Sequence, residues 1–289
     1  MSRIEVRNLT KKYGATVALN EVNISFENEK IYGLLGRNGA GKTTLFSIIS
    51  NRLFPDTGEV FIENKSITNT PNILKQIYCT TEKNLFPGNM KVKHLFKWTS
   101  EFFKDFDKER AFELCEIFNL EPDERIAALS TGYCSIIKNI VAISVNTPVL
   151  LLDEPVLGLD ANHRDMFYKQ LLKSYAQKPR TIVISTHLIE EIDGVIEKVI
   201  ILDGGKIIVD DDADNFTQKG YMVSGPKNIV EEFIKGKNVI GNDMLGGLQT
   251  TYIFNEKNPD EYAEHKILKI SKLPLQKLFI HLTNGGKKK

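Results

Sequence analysis

Two short stretches of the 289-residue chain carry side chains whose types and order suit phosphate chemistry. The first, Gly36-Arg37-Asn38-Gly39-Ala40-Gly41-Lys42-Thr43, fits the pattern G-x-x-x-x-G-K-[ST]. It follows the apolar run Ile31–Leu35 and precedes Leu45, Phe46, Ile48, Ile49 and Leu53, which recur at helical spacing. Strand, glycine-rich loop, helix is the context in which that pattern cradles phosphate. Glycines let backbone N–H groups turn toward phosphate oxygens, and the helix N-terminus adds the positive end of its dipole. Lys42 is expected to reach β- and γ-phosphate oxygens as a cation, and the Thr43 hydroxyl to ligate Mg²⁺. The second stretch, Asp153-Glu154, ends the apolar run Val149-Leu150-Leu151-Leu152. A strand-end carboxylate belongs on the same sheet edge as the loop. Asp153 is therefore expected in the Mg²⁺ shell, and Glu154 is expected to orient or deprotonate the attacking water.

The elements that must position these groups read as α/β. Arg3 to Asn8 and Val22 to Phe26 look like short strands. Met90 to Val145 has few strand signals and several amphipathic patterns, which predicts a helical subdomain. Val149 to Leu152 and Thr181 to Ser185 are buried-strand runs separated by one helix over Asn162 to Ala176, a βαβ unit of a parallel sheet. Lys198 to Leu202 and Lys206 to Val209 flank Asp203-Gly204-Gly205 as a closing hairpin. The acidic run Asp210 to Asp214 marks a composition shift. Beyond it a small accessory domain is expected over about 216–284, followed by a short basic tail to residue 289. Within it Thr250 to Phe254 reads as a strand, Asn258-Pro259-Asp260 as a helix start, and Leu275, Leu278, Phe279 and Leu282 as a last helix.

Composition excludes several roles. Lys plus Arg is 38 against 37 Asp plus Glu, a net charge of +1, so the basic excess of a nucleic-acid wrapper is missing and no nucleic-acid partner is expected. No run approaches the ~18 apolar residues of a membrane helix. Met1-Ser2-Arg3-Ile4-Glu5 lacks the apolar core of a secretory signal. Cys79, Cys115 and Cys134 form no C-x-x-C, so a reduced cytoplasmic setting without a zinc site is expected.

Four further stretches narrow the reading: Leu129-Ser130-Thr131-Gly132-Tyr133, Leu157-Gly158-Leu159-Asp160, Ser185-Thr186-His187, and Tyr13 in Lys11-Lys12-Tyr13-Gly14. Over about residues 1–215 these resemble, in order, the motifs of the ATP-binding cassette (ABC) ATPases: signature, D-loop, switch histidine and adenine-stacking aromatic. The resemblance implies a P-loop NTPase core, a mixed sheet with a helical subdomain, and ATP with Mg²⁺ as ligands. Tyr13 would stack the base. Gly36, Asn38, Gly39, Ala40, Gly41, Lys42 and Thr43 would surround the phosphates, and Thr44 would touch the α-phosphate. Glu154, His187 and Lys42 would serve hydrolysis, with His187 holding the γ-phosphate and the water. Ser130 and Gly132, at the start of a helix marked by Ile136, Ile140 and Ile143, would act on the nucleotide of a second ABC copy, with Asp160 beside them in the D-loop. Two ATP molecules would thus join a head-to-tail dimer, homodimer or heterodimer, that opens after hydrolysis.

The chain departs from that pattern in two places. Counting back from Leu85-Phe86-Pro87 puts Thr81 where the family has a Mg²⁺-sensing Gln, and the signature has Thr131 and Tyr133 for a usual Gly and Gln. A threonine hydroxyl is shorter, so Thr81 would reach the metal through water, and slow, partner-dependent turnover is expected. With no span of its own the ATPase would sit peripherally at the inner face of the cell membrane and drive a separate transmembrane permease. Leu85, Phe86, Trp98 and Phe102 either line its docking groove or form the subdomain's own core. Pro274 to Thr283 resembles the tail of cassettes in ABC-2 drug, peptide and antibiotic exporters, which points to export of a hydrophobic drug, an amphipathic peptide or an antibiotic. Two other classes remain: an ATP-gated module with little turnover, and a cytosolic ABC protein acting on ribosomes or DNA. The single cassette without long coiled coil argues against the last.

Overall fold

A computed structural model describes residues 2–255 and 267–284. In chain order its strands are β1 (Ser2–Tyr13), β2 (Thr16–Glu27), β3 (Ile31–Leu35), β4 (Thr57–Ile62), β5 (Lys65–Ser66), β6 (Ile77–Cys79), β7 (Val149–Asp153), β8 (Thr181–Thr186), β9 (Lys198–Asp203), β10 (Lys206–Asp212), β11 (Gly220–Pro226), β12 (Val239–Leu245), β13 (Leu248–Phe254) and β14 (Lys269–Lys272). The helices are α1 (Lys42–Ile49), α2 (Val92–Phe102), α3 (Lys108–Ile117), α4 (Thr131–Ser144), α5 (Ala161–Gln177), α6 (Ile189–Ile192), α7 (Ala213–Gln218), α8 (Lys227–Phe233) and α9 (Leu275–Asn284).

The described residues form three sheets. The central one has strand order β10-β9-β3-β8-β7-β6, parallel except for β10. Every residue of β3, β7 and β8 is buried, because helices and a second sheet cover both faces. Side chains alternate between two cores. Ile31, Leu35, Leu150 and Leu152 face the helical side with Phe96, Leu114, Ile140 and Phe167 of α2 to α5. Tyr32, Leu34, Val149 and Leu151 face α1 and the antiparallel sheet β2-β1-β4-β5. Registry then sets the site: Leu35 pairs with Thr186 and Asp153 with Ser185, so the C-terminal ends of β3, β7 and β8 share one edge.

The βαβ unit, the closing hairpin, the helical subdomain and the last helix follow the sequence. β1 and β2 run 12 residues each, beyond the expected runs, because they pair antiparallel through successive bulges. The third sheet, β12-β13-β11-β14, is antiparallel, and α7 leads the chain into it across residue 216. One of its faces packs on a small cluster of Tyr221, Val223, Val230, Ile253 and Leu268. Leu275, Leu278 and Phe279 of α9 join the large helical core instead. The expected helix start at Asn258-Pro259-Asp260 and the basic tail lie outside the described residues. In the subdomain Leu85, Trp98 and Phe102 are exposed, by 70%, 56% and 73%, so they are not its core; Phe86 is half-buried against it.

Candidate active site

The phosphate loop joins β3 to α1 through Gly41, whose φ of 111° and whose missing Cβ, 2.4 Å from the Ala18 carbonyl, both demand glycine. Among the described residues no side chain caps α1, so its first N–H groups can meet an anion. Lys42 is 7% exposed and curls back over the loop, its Nζ donating to the carbonyl oxygens of Gly36 at 2.6 Å and Arg37 at 3.3 Å. Burial pulls its pKa below the usual lysine value, while Glu154 and Asp153 favour the charged form.

Asp153 ends β7, 2% exposed, and Thr80 braces it by accepting from its backbone N–H at 3.1 Å. Burial raises the Asp153 carboxyl; the nearby Thr43 and Ser185 hydroxyls and the Lys42 charge pull the other way. Among the described residues its Oδ1 has no hydrogen-bond partner. A buried carboxylate oxygen left open beside a threonine hydroxyl suits a hard cation such as Mg²⁺. Among the described residues no three His, Cys, Asp or Glu side chains gather as a metal cage. A bound Mg²⁺ would therefore rely on Thr43, Asp153 and phosphate oxygens, and would supply charge neutralisation to the phosphoryl group.

Glu154 stands at φ 47°, a left-handed conformation costing of order 1–3 kcal/mol for a non-glycine residue. Its N–H donates to the Ser185 carbonyl at 2.8 Å, and its Oε2 meets His187 Nδ1 at 2.9 Å. The β7 and β8 ends thus aim carboxylate and imidazole at each other. A carboxylate so placed can take a proton from water.

A cavity of about 390 Å³ gathers Tyr13, Ala18, Arg37 to Thr44, Glu82, Asp153 and Glu154. Tyr13 is half exposed with Lys11 Nζ 5.9 Å from its ring centre, open to a stacking base. Of the expected residues, Gly36 bounds the loop through its carbonyl, and His187 reaches the cavity through Glu154. Thr81 does not line it: its hydroxyl donates to the Lys83 carbonyl at 2.8 Å. Lys138 of α4 instead donates to the carbonyls of Thr81 at 3.0 Å and Glu82 at 2.7 Å, leaving the neighbouring Glu82 at the cavity. Sequence reasoning missed Ala18, Arg37 and Glu82; Arg37 stood at a variable motif position and Glu82 one residue past the count.

Ser130, Gly132 and Asp160 lie outside this cavity. Ser130 is exposed and caps α4, its Oγ accepting from the Tyr133 N–H at 3.3 Å. A Cβ on Gly132 would stand 3.1 Å from the Gly158 carbonyl, so signature and D-loop touch within the chain. Ser135 Oγ donates to the Leu157 carbonyl at 2.9 Å and Asn139 Nδ2 to that of Pro155 at 2.8 Å, tying α4 to the segment after Glu154. Asp160 caps α5, accepting from the His163 N–H at 2.9 Å; that bond and the His163 ring hold its carboxyl below the usual range.

Comparison with known proteins bears on the family and the fold. The ABC transporter family profile matches residues 19–157. The chain is 26% identical over 291 residues, 99% of each sequence, to the ABC transporter ATP-binding protein YtrB of Bacillus subtilis. It is 31% identical over 211 residues, 71% of this chain and 68% of the relative, to the bacitracin transport ATP-binding protein BcrA of Bacillus licheniformis. Relatives of similar identity are named for import as well as export. A dimeric ATP-binding cassette solved in a post-hydrolysis state with ADP and Pi shares the fold, with TM-score 0.65 over 73% of this chain and 98% of that one at 22% identity. With phosphate loop, strand-end acids and histidine assembled on one sheet edge, the chain belongs to the ATP-binding proteins of the ABC transporters, ATPases that bind ATP with Mg²⁺.

Proposed function

We propose that this chain is the ATPase subunit of an ABC exporter, closing head to tail on a second copy when ATP binds and driving a separate membrane permease. The observation that carries dimerisation is the place of Ser130 and Gly132. They stand at the exposed start of α4, away from their own chain's cavity, where a helix N-terminus favours a partner's γ-phosphate. Residues 1–215 form the ATPase domain in this reading, and 216–289 the accessory domain. Among the described residues no helix is long and apolar enough to cross a membrane. Exposed Leu85, Trp98 and Phe102 therefore serve as the permease contact, at the inner face of the membrane. Export of a drug, peptide or antibiotic is supported by the exporter-like α9 and by similarity to a bacitracin transport protein.

The test is a pull-down of the tagged chain from detergent extract, with light scattering of the Glu154→Gln variant with and without Mg-ATP. A co-purifying polytopic membrane protein and an ATP-dependent doubling of mass support the reading. A monomer under saturating Mg-ATP with every candidate partner present overturns it. The Thr81 hydroxyl, engaged with its own loop, favours a second reading in which the dimer forms but cycles slowly. Dimerisation without phosphate release would support that one.

A further inference from the structure

Arg37 of the phosphate loop is bound by the far end of the chain. Its Nε donates to the Thr283 Oγ1 at 3.3 Å, across the gap between the nucleotide cavity it lines and the last turn of α9. Thr283 is 6% exposed, and its hydroxyl donates onward to the Phe279 carbonyl at 2.8 Å, which fixes the oxygen lone pairs toward Arg37. The same helix touches the other side of the site. Leu275, Leu278 and Phe279 share an apolar cluster with Ile189 and Ile192 of α6, and α6 begins two residues after His187. Its remaining face is anchored to the third sheet. Lys277 Nζ lies 3.1 Å from Asp243 Oδ2, and His281 fills the space a Cβ on Gly241 would need. One helix therefore bridges the phosphate loop, the histidine segment and the accessory sheet.

We propose that Thr283 is a positioning residue for the nucleotide site, and that through it α9 couples phosphate-loop occupancy to the accessory sheet. The proposal rests on the ATP-binding reading. Arg37 rims the cavity, and a guanidinium held at its Nε loses less rotamer freedom when phosphate arrives. The coupling is reciprocal: nucleotide that orders Arg37 steadies α9 to the degree that α9 favours nucleotide.

Two measurements decide it. On the unaltered protein, Mg-ADP or a non-hydrolysable ATP analogue should slow amide exchange across 275–283; unchanged exchange with nucleotide demonstrably bound overturns the proposal. Thr283→Val keeps the shape and removes the hydroxyl, so KM for ATP should rise about 3–10-fold, the worth of one ordinary hydrogen bond, with the effect on KM exceeding that on kcat. Thr283→Ser should restore the lower KM. Equal weakening by Val and Ser, or a loss of kcat and melting temperature together, would mark Thr283 as merely structural and overturn the proposal. A fluorescent ATP analogue reports separately: failure of the unaltered protein to bind it removes the ATP-binding reading itself.

Discussion

His187 Nδ1 lies 2.9 Å from Glu154 Oε2, and the residue carrying that carboxylate stands at φ 47°. The left-handed backbone turns the Glu154 side chain off the β7 axis toward the end of β8, where the imidazole meets it. The bond from its N–H to Ser185 holds the strained conformation in place. Backbone strain of this kind clusters at functional sites, and here it belongs to a carboxylate residue that lines the cavity.

Glu154→Gln should preserve size and backbone while removing the basic oxygen. Turnover should fall ~10²–10⁴-fold with ATP binding retained. Phosphate release and equilibrium nucleotide binding, measured on the same preparation, check this. Normal hydrolysis in the variant would remove Glu154 from its role.

Asp153→Asn should separate stability from function. Burial raises the Asp153 pKa above the ordinary 3.8, so folding favours the protonated acid. Ionisation then costs stability as pH rises through and beyond that value, while at pH well below it the cost vanishes. The amide removes a buried charge with an unpartnered oxygen, so the metal-free protein should gain roughly 1–3 kcal/mol at pH 7, shrinking toward zero near pH 3. Mg²⁺-dependent turnover should be lost together. Melting curves at the two pH values, without metal, check the sign; a variant less stable at pH 7 would refute it.

The phosphate loop and Asp153-Glu154 were legible because each is a local run with its own strand context, whereas His187 stood out only through the resemblance to the ABC motifs. The β3, β7 and β8 runs were legible for a related reason: burial on both faces makes them continuously apolar. Arg37 and Thr283 escaped, since no local pattern links residues separated by almost the whole chain. Glu82 escaped differently, with the count falling on Thr81 instead. Counting along the chain assumes a loop shape, but Lys138, projecting from α4, holds this loop by its carbonyls and puts Glu82 at the cavity. β4 was unread because its pairing with β1, not its own alternation, makes it a strand.

That loop yields a comparative prediction. Thr81→Gln should raise basal ATPase if position 81 can still reach the metal. Glu82→Gln should change KM for Mg-ATP more than Thr81→Val does, because Glu82 faces the cavity while Thr81 bonds Lys83. Initial-rate kinetics over Mg-ATP concentration separate the two. An idle Glu82 would return the sensing role to position 81.

Gly132→Asp addresses the partner-facing end of α4. The Gly132 Cβ position lies only 3.1 Å from the Gly158 carbonyl, so a larger side chain must push into the D-loop or out toward a second copy. It also places a negative charge where a γ-phosphate would dock on the helix N-terminus, reversing the attraction. The chain's own cavity contains neither residue, so binding of a single nucleotide should change by less than about twofold, well under the tenfold that 1.4 kcal/mol represents. ATP-dependent dimerisation of the Glu154→Gln background should disappear, as read by light scattering. Retained dimerisation would mean that the two copies meet through another surface, and that the exposed start of α4 faces solvent in the working complex.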